Sequence, residues 1–142
     1  MPLAIFDLDN TLLKGDSDYL WGRWLVEKGI VDGPTYDREN TRFYREYEAG
    51  ELDIYEFLAF SLKPLADNTT DDLYRWREEF LREIIDPIIL SAGRELIERH
   101  RHAGDTLMII TATNAFVTAP IAERLDITHL LATDPEMENG RY

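Results

Sequence analysis

Two aspartates one residue apart stand in the run Asp7-Leu8-Asp9-Asn10-Thr11, directly after the apolar stretch Leu3-Ala4-Ile5-Phe6. Such a stretch reads as a buried strand, and open α/β sheets meet their ligands at the carboxyl ends of strands. An extended backbone sends alternate side chains the same way, so both carboxylates are expected on one side. Side by side, two anions repel unless they share a cation or a proton. Magnesium takes hard oxygen ligands and would neutralise them, which makes Asp7 and Asp9 the expected metal ligands. The chemistry that uses such a pair is covalent phosphoryl transfer. One carboxylate attacks phosphorus; the other protonates the leaving oxygen and then activates water. The same residues also suit a plain turn in which Asp or Thr caps the next helix.

The elements around the pair bear on that choice. Thr106-Leu107-Met108-Ile109-Ile110-Thr111 reads as a second buried strand and His129-Leu130-Leu131-Ala132-Thr133 as a weaker third. Helical spacing over Ser91–Ala103, with Gly104 as a stop, precedes the second strand, and Asn114–Leu125 follows it. Strand and helix therefore alternate, the pattern of a parallel sheet. Between Asp16 and Ile85 only helical patterns occur. Ser17–Lys28 carries Tyr19, Leu20, Trp24 and Leu25 on its apolar face. Pro34 opens a stretch to Ala49, Asp53 caps Ile54–Leu62 ahead of Pro64, and Thr70 caps Asp71–Ile85. The expected fold is α/β: an incomplete Rossmann-like parallel-sheet core over 1–15 and 86–142, with an all-helical cap inserted over 16–85.

Composition narrows the partners. The 142 residues are 44% hydrophobic and carry a net charge of −13. That charge repels nucleic acid and anionic membranes, so neither is an expected partner. A phosphate ester would be repelled too, so the site must supply local positive potential, from a divalent cation or helix N-termini. No apolar run approaches the ~20 residues of a membrane span, and no signal peptide is read. With no cysteine, thiolate chemistry and Cys-based zinc sites are excluded, and the chain fits the cytoplasm.

Phe6-Asp7-Leu8-Asp9-Asn10-Thr11-Leu12-Leu13 resembles the first motif of the haloacid dehalogenase superfamily of hydrolases. Met108-Ile109-Ile110-Thr111-Ala112-Thr113-Asn114 resembles its second, and the helical insert resembles its C1 cap, as in the phosphoserine-phosphatase-like branch that includes histidinol-phosphate phosphatases. The resemblance implies a magnesium-dependent phosphatase of a small phosphorylated metabolite. Asp7 would be nucleophile and magnesium ligand. Asp9 would be general acid/base and would ligate magnesium through its main-chain carbonyl. Thr111 would bind a phosphoryl oxygen, Asn10 and Thr11 would shape the nucleophile loop, and Ala112 and Thr113 would offer main-chain N–H groups. Asp16 is a candidate substrate contact, though helix capping explains it as well. Arg45 is a candidate clamp for a second anionic group, though an exposed ion pair explains it as well.

The resemblance also calls for a later lysine and a late acidic pair. Lys14, Lys28 and Lys63 all precede the second motif, and Asp134, Glu136 and Glu138 read as a solvated loop. A C-terminally truncated hydrolase is therefore expected, poorly active alone and prone to self-association or to completion by a C-terminal segment. Two other readings stay open: a receiver-like phosphoacceptor, and a non-catalytic binding or association module. The aromatics Tyr19, Trp21, Trp24, Phe43, Tyr44, Tyr47, Tyr55, Phe57 and Phe60 are expected to form the core of the insert.

Overall fold

Three strands, β1 (Leu3–Asp7), β2 (Thr106–Asn114) and β3 (His129–Thr133), form a parallel sheet in the order β1-β2-β3 in the computed structural model, which describes residues 2–142. Leu3 pairs with Thr106 and Asp7 with Ile110 in register, so the end of β1 lies level with the stretch that leads to Thr111. Alternation sends Ala4 and Phe6 inward with Leu107 and Ile109, into a core shared with Ile97 of α5 (Ser91–His102) and Val117 and Ile121 of α6 (Ala115–Arg124). The opposite face keeps Leu3, Ile5, Ile110 and Leu131 exposed.

Four helices separate β1 from α5: α1 (Ser17–Glu27), α2 (Gly33–Glu48), α3 (Ile54–Asp67) and α4 (Thr70–Phe80). Acids cap the first three. Asp16 accepts from the Tyr19 N–H, Asp32 from that of Thr35, and Asp53 from those of Tyr55 and Glu56. The chain departs and returns at one place. Leu13 and Ile89 form an antiparallel bridge, the Lys14 N–H donates to the Ile88 carbonyl at 2.8 Å, and the Leu90 N–H donates to that of Leu12 at 3.0 Å. That clamp seats the insert next to the loop carrying Asp9.

Four boundaries differ from the expected ones. Pro64 does not end α3, which runs on to Asp67. Pro64 forfeits one helical hydrogen bond, but burial of Leu65 and an Asn68 Nδ2 bond to the Pro64 carbonyl, 2.7 Å, hold the last turn. Thr69 rather than Thr70 caps α4, which stops at Phe80 and gives way to a wide π turn over Leu81–Ile85. β2 continues three residues past Thr111.

The core of the insert is also smaller than expected. Trp21, Trp24 and Phe43 are buried, while Tyr19, Tyr44, Tyr47 and Tyr55 are exposed. Trp21 packs against Phe80, centroids 5.2 Å apart, and reaches Phe116 of α6 at 5.8 Å, tying the insert to the sheet layer. Among the described residues no helix is long and apolar enough to cross a membrane.

Candidate active site

β1 ends at Asp7 rather than running extended through Asp9. The N–H groups of Thr11, Leu12 and Leu13 all converge on the Leu8 carbonyl, at 3.2, 3.0 and 3.2 Å, and fold the chain into a tight loop. Asn10 takes φ 57°, a left-handed conformation that Asn tolerates better than most residues. Its N–H donates to the Gly15 carbonyl at 2.9 Å, so Asn10 shapes the loop through its backbone.

The turn gives the two carboxylates different surroundings. Asp7 is exposed, and Oδ2 accepts from the Thr11 hydroxyl at 2.9 Å. Asp9 is half-buried and accepts from four donors. Oδ1 takes the Ser17 N–H at 2.7 Å and the Ser17 hydroxyl at 2.6 Å; Oδ2 takes the hydroxyls of Thr113 at 2.8 Å and Thr111 at 3.3 Å. One acid is free to meet a ligand while the other is held in place.

Thr111 is brought to Asp9 as its position in the sequence suggests, and its hydroxyl also accepts from the Thr113 N–H at 3.1 Å. Two further partners of Asp9 escape a reading of the sequence. Ser17, fully buried, reads there as a helix cap; Asp16 does the capping and Ser17, the first residue of α1, turns to Asp9. Thr113 stands two residues after Thr111 on the same inward face of β2, so a Thr-x-Thr pair at a strand end was the available signal. Asn114 caps α6 through the Val117 N–H.

A cleft of about 200 Å³ opens beside this cluster, walled by Asp16, Asp18, Phe57 and Ser61 from the insert and by Ala112, Thr113 and Thr133 from the strands. Asp16 and Ala112 line this cleft, whereas Asp7 and Asp9 are not among its lining residues. Arg45 is not among them either. It lines a separate groove on the outer side of α2 with Arg38, Thr41 and Arg42. Arg42 pairs with Glu39, Glu46 and Glu56, a surface network between α2 and α3.

Asp18 also lines the cleft, and burial, with Asp16 and Asp9 nearby, pushes its carboxyl up from 3.8 to about 6. The folded chain thus holds a proton there that the unfolded chain has lost, and stability falls as pH rises from about 4 through about 6. Asp18→Asn is expected to remove that slope and to be more stable than the parent by about 2–3 kcal/mol at neutral pH. Urea unfolding at about pH 4 and about pH 7.5 checks this, and parallel curves for both proteins would refute it.

The family model for haloacid dehalogenase-like hydrolases matches residues 4–142. The chain belongs to that family. Within this hydrolase family, a histidinol-phosphatase of Neisseria meningitidis is 43% identical over 141 residues, 99% of this chain and 64% of the relative. A phosphoserine phosphatase of Mycobacterium tuberculosis is 31% identical over 98% of the chain and 46% of its own length. The chain thus spans less than two thirds of these relatives. A crystal structure of a Bordetella pertussis protein of unknown function superposes with a TM-score of 0.92 at 42% identity, covering 99% of this chain and 64% of that one. A phosphoserine phosphatase solved as a phospho-aspartyl intermediate analogue shares the fold, with a TM-score of 0.63 at 17% identity over 99% of this chain and 59% of its own.

Proposed function

We propose that the chain carries the nucleophile and the acid/base of a phosphatase acting on a small phosphomonoester. The observation that supports this most is the contrast between Asp7, exposed with a single hydroxyl partner, and Asp9, held by four donors next to it. An Asp7 oxygen attacks phosphorus, and the bond from phosphorus to the ester oxygen breaks. Asp9 delivers its proton to that departing oxygen. Asp9, now a carboxylate, takes a proton from water as the water oxygen attacks the aspartyl phosphate, which releases inorganic phosphate and restores Asp7. The relatives named histidinol-phosphatase and phosphoserine phosphatase support a small phosphorylated metabolite as substrate.

Among the described residues no group of three or more acidic or histidine side chains is placed to hold a metal. Magnesium usually takes only one or two carboxylates and keeps several waters or phosphate oxygens, so a small set of hard oxygens fits it. Asp7 through its carboxylate and Asp9 through its main-chain carbonyl would hold it, the Asp9 side chain being engaged elsewhere. When bound, it would offset the negative charge of the phosphoryl oxygens. In this reading residues 1–15 and 86–142 act as the catalytic core and 16–85 as a cap closing over it.

Beryllium fluoride with magnesium tests the site without turnover. A bound fluorine resonance, lost in Asp7→Asn, is expected from ¹⁹F NMR of the chain. No bound signal would leave the second reading, an association module, for which the exposed Leu3, Ile5, Ile110 and Leu131 face speaks.

A further inference from the structure

We propose that Ser17 and Thr113 are positioning residues for Asp9, a hydroxyl cradle that holds this carboxyl in one orientation. The proposal rests on the reading of Asp9 as the acid/base. Three of the four partners of Asp9 are hydroxyls, and between them they engage both carboxyl oxygens. Ser17 Oγ and Thr113 Oγ1 are the shortest of these contacts, at 2.6 and 2.8 Å, one on each carboxyl oxygen. The single fixed donor, the Ser17 N–H, shares Oδ1 and leaves Oδ2 to hydroxyls alone.

The residues are built for the task. Ser17 is fully buried, so its hydroxyl has no solvent as an alternative partner, while Thr113 stands at the wall of the cleft. They come from opposite sides, Ser17 from the first turn of α1 and Thr113 from the end of β2, so both the insert and the sheet fix the same carboxyl. Thr113 is itself set by its N–H bond to the Thr111 hydroxyl. Misplacing a reacting group by about 1 Å can cost about a hundredfold in rate.

The test compares Thr113→Val, which keeps the shape of the side chain, with Thr113→Ser, which keeps the hydroxyl, alongside Ser17→Ala. Thr113→Val and Ser17→Ala are expected to lower kcat for an alkyl phosphate by about ten- to a hundredfold with KM nearly unchanged, while Thr113→Ser stays close to the parent. The phosphorylation burst with 2,4-dinitrophenyl phosphate, whose leaving group needs no proton, is expected to change less than about threefold. Equal losses on both esters, or full activity of Thr113→Val, would overturn the proposal. A crystal structure of Thr113→Val supplies a readout independent of turnover: Asp9 is expected to leave its present rotamer, and an unmoved Asp9 would also overturn it. A parent chain that neither turns over the esters nor binds beryllium fluoride would instead sink the phosphatase reading, leaving the Asp9 rotamer to decide the cradle.

Discussion

In the protein completed to the length of its relatives, Asp7→Asn is expected to slow phosphomonoester hydrolysis by at least about a thousandfold while leaving the fold intact. The amide is nearly isosteric but lacks the anionic oxygen that must attack phosphorus. Structural damage is a poor alternative explanation, because Asp7 is exposed and its side-chain hydrogen bond is with the Thr11 hydroxyl at 2.9 Å, from which an amide oxygen can still accept. Steady-state hydrolysis of an alkyl phosphate, measured beside a urea unfolding curve, separates the two. An unshifted curve with lost turnover assigns Asp7 to the chemistry. Near-normal turnover would remove it as nucleophile, and a collapsed curve would make it structural. Asp9→Asn provides the complementary case: it leaves the attacking oxygen in place but disturbs four hydrogen bonds, so its loss of activity is expected to come with a measurable loss of stability.

The parts of this site that were legible in the sequence are those in which one residue type has few other uses. An apolar run ending in Asp-x-Asp, followed far along the chain by another ending in Thr, gave β1, β2, the acids and Thr111. Their parallel pairing followed from the helices between the strands. Ser17 and Thr113 as hydroxyl partners of Asp9 were not legible. A serine beside an aspartate before a helix suits capping equally well, and only the fold shows that Asp16 takes that duty. The extended pairing of Asp7 and Asp9 failed for a related reason. Period-two alternation presumes a strand, and convergence of three N–H groups on the Leu8 carbonyl ended it at Asp7. Arg45 looked like a clamp because charge on a helix is visible in sequence while the direction of the helix face is not. The end of α3 was missed because Pro64 is a strong stop signal locally, and burial of Leu65 with the Asn68 side-chain bond outweighed it.

The aromatic residues of the insert show the same limit, and they yield the largest stability effect expected of a single substitution. Phe80 and Tyr55 are interchangeable in a hydrophobicity pattern, yet Phe80 is fully buried and Tyr55 is 81% exposed. Phe80 meets Trp21 at 5.2 Å and Trp24 at 6.1 Å edge-on, at the junction where Trp21 also reaches Phe116. Removing its ring leaves a void lined by two stacked indoles, of which Trp24 is held by an Nε1 bond to Glu83 at 3.1 Å, so the site has little freedom to collapse. Phe80→Ala is therefore expected to cost about 3–5 kcal/mol, a large share of the ~5–15 kcal/mol that holds a domain folded. Tyr55→Ala is expected to stay within about 0.5 kcal/mol of the parent. Urea midpoints with unchanged slopes measure both. Similar small losses from the two substitutions would mean that the Trp21–Trp24–Phe80 cluster does not anchor the insert, and with it the cleft that Asp16 and Asp18 line would lose its fixed wall.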